Sequence, residues 1–368
     1  MRLRAEQVGS LLRPPDLLSA RKAFAEGRFE LAALRAKEDD AIRAGVARQR
    51  EIGLDVFADG EMRRHSWLTG MADAVDGFLS DSVMLEWRGP GGGREQTTAK
   101  IVGGTLRKRE MLTANEVPFM KALAPSLPGP FKVTVPAPSN FVPTGFKPGV
   151  TERFYRNRDA LLADLVAIVR DEIGWLISQG VTYIQLDAPF YSHYLDPDHR
   201  RAMKMSGTDP DAEFEAAIAG DNATFAGLAR RGATIAVHIC RGNSRSRWYT
   251  EGGYDAIAEK LFATLDVDRF LLEYDTERSG TFEPLGLVPP GKDVVLGLVT
   301  TKEPALERED DLRRRIDEAA RYVPLDHLAL SPQCGFASVD SGNLLSEEDQ
   351  WRKLRLVVDV ARKTWGNR

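Results

Sequence analysis

Cys240 and Cys334 are the only thiols in this chain of 368 residues, and the first lies in Ile235-Ala236-Val237-His238-Ile239-Cys240. In an extended strand side chains alternate between faces, so His238 and Cys240 project to one side with Cα atoms roughly 6.6–7 Å apart. Both can then reach one ion at the roughly 2.0–2.3 Å bond lengths of zinc–nitrogen and zinc–sulfur contacts. Cys334 ends a second β-rich run, Ser331-Pro332-Gln333-Cys334-Gly335-Phe336, and Glu273 lies at the end of a third, Leu271-Leu272-Glu273-Tyr274-Asp275. A carboxylate closing an apolar run is costly to desolvate unless a cation or metal pairs with it. Two thiolates, an imidazole and a carboxylate form a soft to borderline donor set that suits tetrahedral Zn²⁺ better than Mg²⁺ or Ca²⁺. Other uses of the same residues stay open: His-x-Cys as ordinary core, a Cys240–Cys334 disulfide, and an ion pair of Glu273 with Arg278 or Arg245.

The elements that must position these residues read as βαβα. Strands are expected at 7–11, 55–61, 132–139, 183–189, 234–240, 269–275, 293–301 and 328–335, each a short run rich in apolar or β-branched residues that closes in small, polar or charged ones. Helices are expected at 31–52, 158–179, 211–230, 254–264, 311–322 and 347–364; in the second of these Leu161, Leu165, Ile168 and Leu176 share one broad face. This alternation fits an α/β fold, a single (β/α)8 TIM barrel with inserted loops, although a doubly wound open sheet gives the same order. Barrel enzymes build their sites at the C-terminal ends of the strands, where His238, Cys240, Glu273 and Cys334 fall. Between the second and third strands, Pro90-Gly91-Gly92-Gly93 reads as a mobile loop and residues 100–104 as an extra strand. No repeat, low-complexity tract or Pro/Ser-rich linker interrupts residues 1–368, so one domain is expected.

Fifty basic and fifty-four acidic side chains give a net charge of −4, with 43% hydrophobic and 28% charged residues. That balance belongs to an ordinary globular protein and offers no field to attract nucleic acid or an anionic membrane, leaving a small molecule as the expected partner. The N-terminal segment lacks the apolar core of a secretion signal, and no run approaches the roughly 20 apolar residues that span a bilayer. A cytoplasmic location is expected, where unpaired thiols persist and can ligate metal. Self-association into a homo-oligomer is left open.

These residues, taken together with others in the same order, resemble the cobalamin-independent methionine synthase family. The likeness is to its C-terminal catalytic barrel and to its short single-barrel members, which include zinc-dependent epoxyalkane:coenzyme M transferases. The landmarks are Val8-Gly9-Ser10, Asp59-Gly60-Glu61 with Arg64, Asp76-Gly77-Phe78, Ile101-Val102-Gly103, Ile184-Gln185-Leu186-Asp187, the His238/Cys240 pair, Glu273 and Cys334. The resemblance implies a zinc ion held by His238, Cys240, Glu273 and Cys334, and a thiol substrate, homocysteine foremost, activated for methyl or alkyl transfer to give methionine. It also implies that Glu61 and Asp187 hold the amino group of homocysteine and that the backbone around Ser10 holds its carboxylate. From the residues alone, Glu61 could equally bridge to Arg63 or Arg64, Asp187 could cap a helix or loop, and Ser10 could cap a turn.

Several departures from the family pattern bear on the alkyl donor. The family's Asp-Glu-Pro is Asp187-Ala188-Pro189 here, and its Asp-x-His-Ser-Pro segment, whose histidine would protonate a folate leaving group, is Thr300-Thr301-Lys302-Glu303-Pro304. Lys302 is therefore expected to act as an electrostatic anchor for an anionic donor or leaving group, or else to pair with Glu303 or Glu307. The family's Asn-Gly-Trp-Val-Gln-Ser is replaced by unrelated residues around Trp87, and the separate N-terminal barrel of the long synthases is expected to be absent. Methyltetrahydrofolate is thus expected to be a poor donor. Two other activities remain in view. One is alkyl transfer to a sulfonate-bearing thiol such as coenzyme M, with Arg241, Arg245 and Arg247 binding the anion. The other is a metal-free lyase of the uroporphyrinogen decarboxylase type.

Overall fold

The structure, a computed structural model, describes residues 2–366. Its strands in chain order are β1 (Val75–Trp87), β2 (Gly93–Lys108), β3 (Lys132–Pro136), β4 (Tyr183–Asp187), β5 (Thr234–Ile239), β6 (Arg269–Glu273), β7 (Asp293–Val299) and β8 (Leu328–Pro332). β3 to β8 form one six-stranded sheet in sequential order, every pair parallel. Two short extended segments close the ring. Ala5 bridges Leu330 of β8, the N–H of Asp55 donates to the carbonyl of Ala5 at 2.8 Å, and Phe57 bridges Phe131 just before β3. The result is the expected (β/α)8 barrel. Its first strand is shorter and earlier than expected, since pairing centres on Ala5 rather than on 7–11.

Parallel strands covered on both faces lose the polar–apolar alternation of a half-buried sheet. β3, β4, β6 and β8 are accordingly buried at every position. Val56, Tyr183, Ala236, Leu271, Val295 and Ala329 pack as one buried cluster. Polar interior groups are paired: the carboxylate of Glu6 accepts from Lys132 Nζ at 3.1 Å, Tyr183 Oη at 2.8 Å and Arg269 Nε at 2.9 Å. Outside lie the long helices. Leu31–Ile52 ends on Gly53 in the left-handed region (φ +85°). Arg158–Ser178 is capped by Asn157, and Glu347–Trp365 by a reciprocal Ser346/Asp349 capping box. No helix among the described residues is long and apolar enough to cross a membrane.

The main departure from expectation lies between the second and third barrel positions. There β1 and β2 form a long antiparallel hairpin, with the glycine run at its turn. Residues 100–104 are one part of β2. β3 to β8 begin where expected but end one to three residues sooner. The helix expected over 254–264 is interrupted at Ile257.

Candidate metal centre

β5 and β8 deliver the chemistry. His238 is the fifth residue of β5, Cys240 follows its last residue, and Cys334 lies two residues beyond β8. Their ligand atoms lie within 4.8 Å of one another, and all three residues are buried. Both thiols are free, so the disulfide alternative is not what the fold makes. Neither ring nitrogen of His238 has a nitrogen or oxygen partner, and its polar neighbour is the Cys240 sulfur, which against the opposing effect of burial raises the imidazole and is itself lowered by it. A buried imidazole with no nitrogen or oxygen partner is expensive unless something satisfies its nitrogens, and a cation shared with two sulfurs would. Hydrogen bonding from Cys334 holds the Cys240 thiol well below its ordinary value against the opposing effect of burial, with His238 and the Gly242 N–H assisting. Cys334, as the donor in that bond and buried besides, is pushed up. Donor chemistry, burial and the unpaired imidazole thus fit a zinc ion.

Glu273, expected as the fourth ligand, is not brought into this triplet. Its Oε1 lies 3.0 Å from Arg278 Nε, and its Oε2 accepts the backbone N–H of Arg241 at 2.8 Å. Arg278 also makes two bonds to Asp275, of 2.7 and 2.8 Å. The ion pair to Arg278 was the alternative use of this carboxylate; Arg245 is exposed and takes no part.

Asp187 closes β4 and stands in register with His238 on β5. Its carboxyl is pushed up to about 7 by burial, with His238 opposing and Glu61 reinforcing the shift, while Gln185 Nε2 donates to its Oδ1 at 2.7 Å. Glu61 is a buried residue at φ +56°, a conformation few side chains adopt. Thr134 Oγ1 donates to its Oε1 at 3.1 Å, and its Oε2 is buried without a partner. Arg64 keeps its strong bonds for Glu116, at 2.7 and 2.6 Å, and reaches Glu61 only at 4.0 Å, while Arg63 pairs with Glu38 and Asp39. Gly9 makes room for Glu61, since a Cβ there would lie 2.7 Å from Oε1. Ser10 abuts the turn that follows Cys334: its carbonyl accepts from Phe336 N–H at 2.9 Å and its Oγ from Ala337 N–H at 3.3 Å.

Two expected site residues face elsewhere. Arg241 is fully buried, with its guanidinium 4.2 Å from the Tyr254 ring centroid and bonded to Tyr254 Oη at 2.5 Å and the Gly252 carbonyl at 2.7 Å. It is therefore not positioned to bind an anionic substrate. Lys302 Nζ donates to the Gly242 carbonyl at 2.8 Å, Asn243 Oδ1 at 3.0 Å and the Arg247 carbonyl at 3.3 Å. All three of its protons are used, which corrects both the anchor expectation and the pairing with Glu303 or Glu307.

The sequence reading passed over Tyr249 and the role of the hairpin. The Tyr249 ring packs on Gly242 (φ +97°), where a Cβ would come within 2.2 Å of it, and edge-on to Trp87 at 5.8 Å. Burial, and then the charge on Cys240, push its hydroxyl well above the ordinary range. The hairpin is pinned to the loop carrying Cys240 by backbone bonds between Arg88 and Trp248, of 2.7 and 3.2 Å, and by an Arg247–Glu95 ion pair at 2.7 Å. Only the Arg-Gly sequence after Cys240 hinted at a tight turn there.

Known proteins match this chain along nearly its whole length. The uncharacterised protein YxjH of Bacillus subtilis strain 168 is 38% identical over 367 residues, spanning 98% of this chain and 94% of that protein. The methionine synthase of Saccharolobus solfataricus is 24% identical over 353 residues, or 96% and 92% of the two chains. A Listeria monocytogenes structure, provisionally named a vitamin-B12-independent methionine synthase, superposes with a TM-score of 0.73 at 28% identity and covers 99% of this chain and 98% of its own. The family model for the cobalamin-independent synthase catalytic domain matches residues 4–363, and the chain belongs to that family.

Proposed function

We propose that this protein transfers a methyl group to the thiol of homocysteine to form methionine, with zinc held by His238, Cys240 and Cys334. The observation that carries the reading is the convergence of two free, buried thiols on a buried imidazole that has no nitrogen or oxygen partner. Bound there, zinc supplies a Lewis acid that lowers the pKa of a thiol reaching it, so that a nucleophile exists at neutral pH. Glu273 becomes the fourth donor only by releasing Arg278 or the Arg241 N–H, and it is the ligand best placed to give way to substrate sulfur.

The remaining roles fall to groups of the chain itself. Glu61 Oε2, buried and unpartnered, and Asp187, at the end of β4, are the acceptors for the ammonium of the amino-acid substrate, whose positive charge favours the ionised form of an Asp187 carboxyl that burial holds up at about 7. The Ser10 backbone, beside the turn after Cys334, is suited to its carboxylate. With Lys302 fully engaged, no side chain at the family's histidine position has a proton free for a leaving group. The donor is therefore one whose leaving group needs no proton from that position, smaller than methyltetrahydrofolate or delivered by a partner protein. The burial of Arg241 weighs against a sulfonate-bearing thiol, and the metal triplet weighs against a decarboxylase-like lyase.

The test is to load the purified protein with zinc, supply homocysteine with a panel of methyl donors, and assay methionine by mass spectrometry. Zinc-dependent methionine from at least one donor is expected. Methionine yield unaffected by zinc removal would contradict the reading.

A further inference from the structure

Lys302 follows β7 by three residues and reaches across to the loop that carries Cys240. Its acceptors are two backbone carbonyls, of Gly242 and Arg247, and the side chain of Asn243. Among the described residues no carboxylate lies within ion-pair distance of it, yet it is 5% exposed. A buried ammonium without a direct counter-charge is costly, and its three bonds all go to one loop.

Asn243 extends the connection. Its Nδ2 donates to the Gly335 carbonyl, the residue after Cys334, at 2.7 Å, while its Oδ1 also accepts from Asn343 Nδ2 at 2.8 Å. Asn343 in turn bonds the Thr301 carbonyl at 2.8 Å and accepts the Ser246 N–H at 3.0 Å. Thr301 Oγ1 closes the circuit on the Gly335 carbonyl at 3.1 Å. These buried amides and the ammonium thus bind together the loops after β5, β7 and β8, two of which carry the cysteines.

We infer that Lys302, through Asn243 and Asn343, is a positioning residue for the metal triplet: it fixes the Cys240 loop against the Cys334 loop at ligating separation. The inference rests on the proposed zinc site. Residues that orient metal ligands without touching the metal typically account for about 10–100-fold in metal affinity.

The experiment compares wild-type protein with Lys302→Met, Asn243→Ala and the double variant, by chelator competition for zinc and by the absorption spectrum of the cobalt-substituted protein. Unfolding midpoints of the metal-free forms are measured alongside. Each single variant is expected to lose at least about tenfold in zinc affinity and to show an altered cobalt–thiolate spectrum, with the double variant losing less than the product of the two. Asn343→Ala provides the same readings should Lys302→Met fail to fold. Variants with wild-type zinc affinity and cobalt spectrum, differing only in unfolding midpoint, would overturn the inference while leaving the zinc site standing. A wild-type protein that takes up no zinc would overturn both.

Discussion

Asp187 and His238 stand opposite one another in the parallel ladder between β4 and β5. The carboxylate proposed to meet the substrate amine and the first of the proposed metal ligands are thereby fixed to each other by backbone hydrogen bonding. Substrate and metal sites can nevertheless be separated by mutation, because Asp187 bonds Gln185 rather than a sulfur.

Glu61→Gln and Asp187→Asn should therefore each weaken homocysteine binding by about tenfold or more, the scale of one lost charge-assisted hydrogen bond, while keeping zinc content at the wild-type level. Calorimetric titration with homocysteine on zinc-loaded protein reads this directly. Unchanged affinity in both variants would point to a thiol without an amino group.

Cys240→Ser and Cys334→Ser each replace a thiolate by a neutral hydroxyl and remove a strong soft ligand. Wild-type protein should carry close to one zinc per chain by elemental analysis, and each variant should lose metal and activity together. Full zinc occupancy in the double variant would rule out the assigned ligands.

The barrel and the convergence of the two cysteines on His238 were legible because apolar runs that start at Lys132, Tyr183, Thr234, Arg269, Asp293 and Leu328 mark the strands, and the three residues fall at or just past the ends of two of them. The hairpin was not, because β1 and β2 lie largely in solvent and carry mixed polar residues with no sustained apolar stripe. Arg241 and Lys302 lie beyond strand ends, where the period of two no longer says which way a side chain points. Glu273 shows a different limit. Its place at the end of β6 was readable, but whether a buried carboxylate meets a metal or Arg278 depends on residues five positions away and on occupancy.

Gly297 of β7 sits where a Cβ would lie 2.8 Å from both Gln333 Cα and the Leu272 carbonyl. Gly297→Ala must shift backbone on either side and should destabilise the fold by about 1–3 kcal/mol. Gly174, within the helix Arg158–Ser178, has open space around it, and Gly174→Ala should instead stabilise by roughly 0.5–1 kcal/mol. Urea unfolding midpoints moving in opposite directions would bear this out; a neutral Gly297→Ala would contradict the close packing of β7 on the turn after β8.

Asp221, far from the metal residues in sequence, accepts from Ser139 N–H at 3.1 Å, Ser139 Oγ at 2.8 Å and Tyr191 Oη at 2.5 Å. Burial outweighs those bonds and pushes its carboxyl from 3.8 up to about 6. Between about pH 4 and 6 the folded state thus binds more protons at this site than the unfolded chain, so its contribution to stability falls as pH rises through that window and levels off above it. The change is on the order of 3 kcal/mol. Asp221→Asn should be less stable overall but should lack this slope in urea unfolding across the same range; parallel pH profiles would show that the carboxyl does not titrate there.

The central claim is that the triplet holds a metal that receives substrate sulfur. X-ray absorption at the zinc edge of the loaded protein, without and with homocysteine, tests it most directly. Two sulfur scatterers are expected in the resting protein, with the rest of the shell nitrogen or oxygen, and three once homocysteine is added. A sulfur count that homocysteine leaves unchanged would contradict the account.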